Sequence, residues 1–186
     1  DTARSKSVNI MMDNFPHLSI VTGTLNPNLK IFEKVLKSIK HQQYPQDKIE
    51  HLVIDGGSAN GCLDLAKKYG CSTHVQRDQG KEEQIKQASG IMMVKGEFIL
   101  ILESDNILIG RDWLRRMVTP FSVETKAVCS FSACNGYEAG MSLTTRYCAL
   151  IGSPDPTLYY LRKTEKIRMD QSAYDKGDVI KVTKDY

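Results

Sequence analysis

Gly96-Glu97-Phe98-Ile99-Leu100-Ile101-Leu102-Glu103-Ser104-Asp105-Asn106 is the stretch from which the fold can be read. Residues 98–102 form an unbroken apolar run of strand length, the pattern of a strand buried on both faces of a parallel sheet. The run ends in two acids, Glu103 and Asp105, with one small residue between them. In an open α/β sheet, ligands bind beyond the carboxyl ends of the strands. Two carboxylates there stay close together and ionised only with a cation. A hard divalent ion held by one or two carboxylates plus phosphate oxygens meets that need. The triplet taken alone is equally consistent with an acidic strand exit that faces water.

The chain on either side repeats one scheme. Residues 18–21 are a short apolar strand running into Thr22-Gly23-Thr24-Leu25-Asn26-Pro27-Asn28, which is turn chemistry. Ile31, Phe32, Val35, Leu36 and Ile39 then fall on one helical face, and Tyr44-Pro45 closes that unit. Residues 49–54 are a second strand, ended by Asp55-Gly56-Gly57-Ser58. Leu63, Leu65, Ala66 and Tyr69 mark a helix that stops at Gly70, a helix-ending glycine. A brief strand at 73–75 leads to Asp78-Gln79-Gly80, which opens a helix with Ile85, Ala88 and Met92 on one side. Beyond the quoted stretch come a short helix at 111–117 and a strand at 127–131. Strands and helices alternating at these spacings imply an α/β fold with a mainly parallel, Rossmann-like sheet flanked by helices.

Size and composition narrow the function. At 186 residues the chain can build one ordinary domain with a real core. Its 25 basic and 22 acidic side chains leave a net charge of +3, too small to argue for nucleic acid, so no nucleic-acid partner is expected. No stretch approaches the roughly 20 apolar residues that span a bilayer. Residues 1–7 have no apolar segment after them, unlike a secretory signal. The cysteines, Cys62, Cys71, Cys129, Cys134 and Cys148, are odd in number and lack zinc-knuckle spacing. They read as reduced thiols of a cytoplasmic protein, mostly in the core, with Cys129 and Cys148 among apolar neighbours.

Three loops open on the same sheet edge: 22–28, 55–60 and 103–110. Asp55 can accept from a base imide or a ribose hydroxyl. Gly56 and Gly57 let a ligand approach the backbone. Ser58 reads first as a cap for the next helix. Thr22 and Thr24 can hydrogen-bond a base or simply close a turn. A dinucleotide fingerprint is absent, because Thr-Gly-Thr-Leu-Asn stands where its glycines would be. No glycine-rich segment ends in Gly-Lys-Ser/Thr, which removes a P-loop.

Four of these segments together resemble inverting glycosyltransferase family 2. Ser19-Ile20-Val21-Thr22-Gly23-Thr24-Leu25-Asn26 is similar to that family's first strand and loop, S-I-V-I-P-T-Y-N. Residues 52–61, Leu-Val-Ile-Asp-Gly-Gly-Ser-Ala-Asn-Gly, resemble its V-V-D-D-G-S-T-D-G. Asp78-Gln79-Gly80, Gly90 and Lys95-Gly96-Glu97-Phe98 resemble its glycine, small-residue and A-x-G-E-Y-I pattern. Glu103-Ser104-Asp105-Asn106 with Asp112-Trp113-Leu114 resembles its D-A-D-D and later W-L. Residues 146–152 and Asp155-Pro156 are similar to a segment of a bacterial and archaeal branch. The departures are specific. Thr22-Gly23 replaces Ile-Pro, Gly56 stands where the family has a second Asp, and Glu103 replaces the first Asp of the metal motif.

The resemblance implies the GT-A type of this fold and transfer of a sugar, with inversion, from a nucleotide-diphosphate-sugar donor to a hydroxyl of a glycan or lipid-linked acceptor. It implies donor contacts from Thr22, Thr24, Asn26, Asp55, Gly57, Asp78, Gly80, Glu103 and Ser104. It implies Mn2+ or Mg2+ held by Asp105, with Glu103 as the longer, less direct partner. The catalytic base is expected beyond Tyr186, with Asp155 as a weak candidate that equally suits a helix start before Pro156. The implied organisation is a flexible lead-in over 1–16, a nucleotide-sugar-binding α/β domain over 17–132, and an incomplete acceptor-side segment over 133–186. Residues 179–186 read like a strand cut off within a domain. Arg162, Lys163, Lys166 and Arg168 read first as a solvated face, with peripheral contact to a membrane at the inner cell surface as the alternative. Two other functions stay open: a nucleotide-sugar-binding module without chemistry, and a nucleotidylyltransferase. The second wants a basic loop after the first strand, and residues 22–28 hold no Arg or Lys.

Overall fold

The computed structural model describes residues 15–76, 83–123, 126–132, 140–144 and 146–147. Their elements run β1 (Leu18–Thr24), α1 (Leu29–Lys40), a single 3-10 turn (Gln46–Lys48), β2 (Ile49–Asp55), α2 (Cys62–Lys68), β3 (Ser72–Val75), α3 (Glu83–Ile91), β4 (Phe98–Ile101) and α4 (Trp113–Val123). The strands pair in the order β3-β2-β1-β4, all parallel. This is the α/β sheet that the alternating pattern implied. The chain divides into two units, Asp1–Val118 and Thr119–Tyr186. The sheet belongs to the first.

β1 is buried along its whole length because helices cover both of its faces. Leu18 and Ile20 pack with Val35 and Ile39 of α1, Leu102, and Leu114 and Val118 of α4. Val21 points the other way, to α3. There Gly90 is needed for closeness: a Cβ would overlap Val21 Cγ1 and lie 3.1 Å from Ile54 Cγ1. α1 starts where Asn28 Oδ1 accepts from the backbone N–H groups of Lys30 and Ile31, at 3.1 and 3.3 Å. Its Phe32 and Leu36 pack with Val53, Cys62 and Ala66, which joins α2 to the sheet.

Several local expectations are corrected. β4 is not buried on both faces: Ile99 and Ile101 are 42% and 46% exposed, while Leu102 is buried. The cause is position. β4 pairs only with β1 among the described residues, and α3 covers β1 and β2 instead. The face chosen for α3 is also reversed. Ile85, Ala88 and Met92 are exposed, and Lys86, Gln87 and Gly90 are buried. α4 runs past Met117 and through Pro120, a residue that removes one helical donor without ending this helix. In the second unit, residues 127–131 form no strand. Val128 and Phe131 are 92% and 64% exposed, and Cys129 is exposed, not core. Apolar composition makes a strand only when a neighbouring strand pairs with it. Residues 1–14 of the expected lead-in, and 148–186, lie outside the described residues.

Candidate functional site

The carboxyl edge of the sheet gathers the ends of β1, β2 and β4. Register sets Thr24 beside Asp55 and Val21 beside Ile101. Short hydrogen bonds then tie the loops together. Gly56 N–H donates to the Thr24 carbonyl at 2.9 Å. Asn26, in the left-handed region at φ 46°, donates its N–H to Ser58 Oγ at 2.7 Å and accepts from Ala59 N–H at 3.0 Å. The first two loops are therefore one stapled surface.

Asp55 is fully buried. Its carboxylate accepts from Gly57 N–H at 2.9 Å and Ser58 N–H at 2.7 Å, and also from Ser58 Oγ. Cys62 Sγ lies 3.7 Å from Oδ1. Those donors hold the carboxylate within its own loop, where the sequence suggested a base or ribose contact. Ser58 is part of that loop and does not cap α2. Gly61 stands at its cap position, and Asn60 Oδ1 accepts from the first helical N–H, that of Cys62, at 3.2 Å. Gly57 has φ 103° and faces solvent.

Thr22 sits two residues before the strand end, buried, with Oγ1 and His51 Nε2 sharing a hydrogen bond of 3.0 Å. The other ring nitrogen lies 3.2 Å from Cys71 Sγ. Burial lowers the His51 pKa to about 4, helped by the Lys40 charge, so the ring is neutral at pH 7. Burial likewise raises the Cys71 thiol to about 11. This chain of groups belongs to the core and not to the edge. Thr24 differs. It is the last residue of β1, and its Oγ1 is buried without a hydrogen-bond partner among the described residues. An orphaned buried hydroxyl costs about 1–3 kcal/mol, which a water or a ligand recovers.

After β4 the chain turns at once. Asn106 N–H donates to the Glu103 carbonyl at 3.2 Å, so Glu103, Ser104 and Asp105 lie in a turn and strand alternation does not extend to them. Glu103 is half-buried and accepts from Gln87 Nε2 of α3 at 2.7 Å. Ser104 is half-buried and Asp105 exposed. The rest of this loop is anchored to α1 and to the turn that follows it. Leu108 N–H donates to Ser38 Oγ at 3.0 Å, and Gln42 accepts from Leu114 N–H at 3.1 Å while donating to the Gly110 carbonyl at 2.8 Å. Among the described residues no cluster of three or more His, Cys, Asp or Glu could hold a metal by itself. The donor set here, one exposed and one tethered carboxylate, fits a cation that takes its other ligands from phosphate and water.

Asp78, Gly80 and Asp155 lie outside the described residues. Gln87 and Lys86 were not singled out as site residues in the sequence, although both reach the site from α3. The signal was present. Gly90 marks the face of closest approach, and residues three and four positions earlier share that face. Among the described residues no helix is long and apolar enough to cross a membrane.

Known proteins resemble the chain in sequence and in fold. Residues 19–182 match the family model described as glycosyl transferase family 2. Glycosyltransferase AglE of Haloferax volcanii is 26% identical over 116 residues, 60% of this chain and 38% of that protein. An uncharacterized glycosyltransferase of Mycobacterium tuberculosis is 29% identical over 116 residues, 60% of this chain and 42% of that protein. The chain thus spans about two-fifths of the length of these curated relatives. The crystal structure of S. aureus TarS 1-349 superposes with a TM-score of 0.54 at 20% identity, covering 68% of this chain and 39% of that one. The same protein in complex with UDP gives 0.54 at 19% identity, with the same coverage. Likeness at that identity shows the shared fold.

Proposed function

The chain belongs to glycosyltransferase family 2, and from that premise we propose that its carboxyl-edge site binds a nucleotide-diphosphate sugar and transfers the sugar to an acceptor hydroxyl with inversion. The observation that supports this best is the juxtaposition at one edge of the orphaned Thr24 hydroxyl, the stapled β1 and β2 loops, and the acid-bearing turn after β4. The UDP held by TarS, a chain of this fold, names the ligand class to try first.

In the proposed reaction the acceptor oxygen attacks the anomeric carbon from the face opposite the phosphate. The carbon–oxygen bond to phosphate breaks, and the nucleoside diphosphate leaves with the bonding pair. The acceptor proton passes to a carboxylate base, which we place in the acceptor-side part of the protein. Asp105, with Glu103 beside it, would hold Mn2+ or Mg2+, whose charge stabilises a leaving diphosphate. Gln87 keeps Glu103 in place without adding a competing charge. Thr24, at the end of β1, would satisfy its unpartnered hydroxyl on the donor, and the exposed Gly57 would let the donor approach the chain closely.

The test is incubation of the protein with a panel of nucleoside-diphosphate sugars, Mn2+ and acceptor alcohols, reading nucleotide release and product configuration by NMR. Release coupled to an inverted linkage is the expected result. A retained configuration, or turnover of none of the donors, contradicts the proposal.

A further inference from the structure

Gln87 and Glu103 meet between α3 and the turn after β4, and one residue of the central strand helps to place both. Val21 fills the space beside Gly90, where a Cβ would overlap its Cγ1, and its carbonyl accepts from Leu102 N–H at 3.0 Å. The first contact sets α3 close against the sheet. The second carries the β1–β4 ladder to the residue just before Glu103. Gln87 stands three positions before Gly90, on the same helical face, and is 9% exposed. Its Nε2 donates to Glu103 Oε1 at 2.7 Å.

The chemistry of that bond is specific. An amide N–H holds a carboxylate without neutralising it, where a Lys or Arg would offset the charge that attracts a divalent ion. The bond engages Oε1, and a carboxylate has a second oxygen to offer. Glutamate also needs holding more than aspartate does. Its extra methylene adds a rotatable bond that must be frozen before the group can serve as a ligand. In the family pattern this sequence resembles, the first acid of the motif is an Asp. Here Glu103 stands in its place, and α3 supplies a restraint for the longer arm. Asp105, the shorter acid, is exposed in the turn.

We propose that Gln87 is a positioning residue for the divalent ion: by fixing Glu103, it sets how strongly Mn2+ tightens nucleoside diphosphate binding. Gln87 touches neither the ion nor the nucleotide and acts only through the Glu103 carboxylate. This inference rests on the nucleotide-sugar reading of the same edge.

A double-mutant cycle tests it, with Gln87→Met, Glu103→Gln and the two combined. Met keeps the length of the side chain and removes the donor. Calorimetry with and without Mn2+ uses whichever of UDP, CDP, GDP and ADP wild type binds best, and reads the Mn2+ enhancement as the ratio of the two affinities. Gln87→Met should cut that enhancement about tenfold, the low end of what partners of a metal-ligating group contribute, and leave metal-free affinity unchanged. In the Glu103→Gln background the same change should alter the enhancement by less than about twofold, because the group it acts through is already gone. A folded Gln87→Met with the wild-type enhancement overturns the inference. So does an equal loss with and without Mn2+, which a merely structural bond would give. A full loss that persists in the Glu103→Gln background overturns it too. If Gln87→Met does not fold, Gln87→Asn decides: its amide is one methylene too short for Glu103, and an unaltered enhancement overturns the inference. Wild type that binds no nucleotide, or ignores Mn2+, overturns the functional reading as well. Mn2+-dependent wild type with unaltered variants overturns this inference alone.

Discussion

Asp55 ends β2 with its carboxylate bound by the N–H groups of Gly57 and Ser58 and by the Ser58 hydroxyl. Removing it leaves those donors without their acceptor and loosens the loop that Asn26 staples to β1. Asp55→Ala should therefore destabilise the fold by about 1–3 kcal/mol in urea denaturation, with nucleotide affinity falling alongside. A variant that melts like wild type would show that the carboxylate is not organising the loop. His51 makes the second residue-scale prediction. Its folded pKa of about 4 lies below the ordinary 6.5, because burial between Thr22 and Cys71 disfavours the charged ring. The unfolded chain binds more protons between those values. The stabilisation from His51 is thus complete above about pH 6.5 and is lost as pH falls towards about 4, amounting to about 3 kcal/mol. Stability measured across that window should fall less steeply for His51→Gln than for wild type. Equal slopes would mean that the ring is not buried neutral. The sequence marked Asp55 as the first polar residue after an apolar run, which is a matter of position. Its partners could not be read, because they exist only once the loop folds back.

α3 is the element whose sequence misled most. Ile85, Ala88 and Met92 look like its core face, yet Lys86, Gln87 and Gly90 meet the sheet. The side chains around Gly90 matter less than the missing one, since Val21 and Ile54 occupy the space a Cβ would need. Helix propensity favours alanine over glycine by about 1 kcal/mol, but overpacking a close contact costs about 1–3 kcal/mol. Packing should win: Gly90→Ala is expected to lower the denaturation midpoint. A raised midpoint would mean that the helix stands off the sheet. Glycine carries no hydrophobic signal, so a periodicity count passes over the residue that decides which face is buried. β4 shows the converse error. Its apolar run reads as buried on both faces, but burial of Ile99 and Ile101 depends on what covers the edge, and α3 lies over β1 and β2. α1 was legible because Asn28 and its apolar stripe report on the same few residues.

At the scale of the whole molecule, strand–helix alternation specified the parallel sheet, since parallel neighbours need a crossover between them. It also specified which edge the loops share. The order β3-β2-β1-β4 was not in the pattern, because pairing is a long-range choice among strands of similar composition. The candidate site was legible as a set of loops and less so as a set of contacts. Glu103 and Asp105 arrive where the apolar run ends, but Gln87, Ser38 and Gln42, which hold that loop, come from distant parts of the chain. The central claim is that this edge binds a nucleoside diphosphate with a divalent ion at Asp105. Calorimetry of nucleoside diphosphates with and without Mn2+, on wild type and Asp105→Asn, tests it most directly. Wild type should bind more tightly with Mn2+, and Asp105→Asn should lose that enhancement while keeping the weaker metal-independent binding. Wild-type affinity that ignores Mn2+, or an Asp105→Asn protein that keeps the full enhancement, would contradict it.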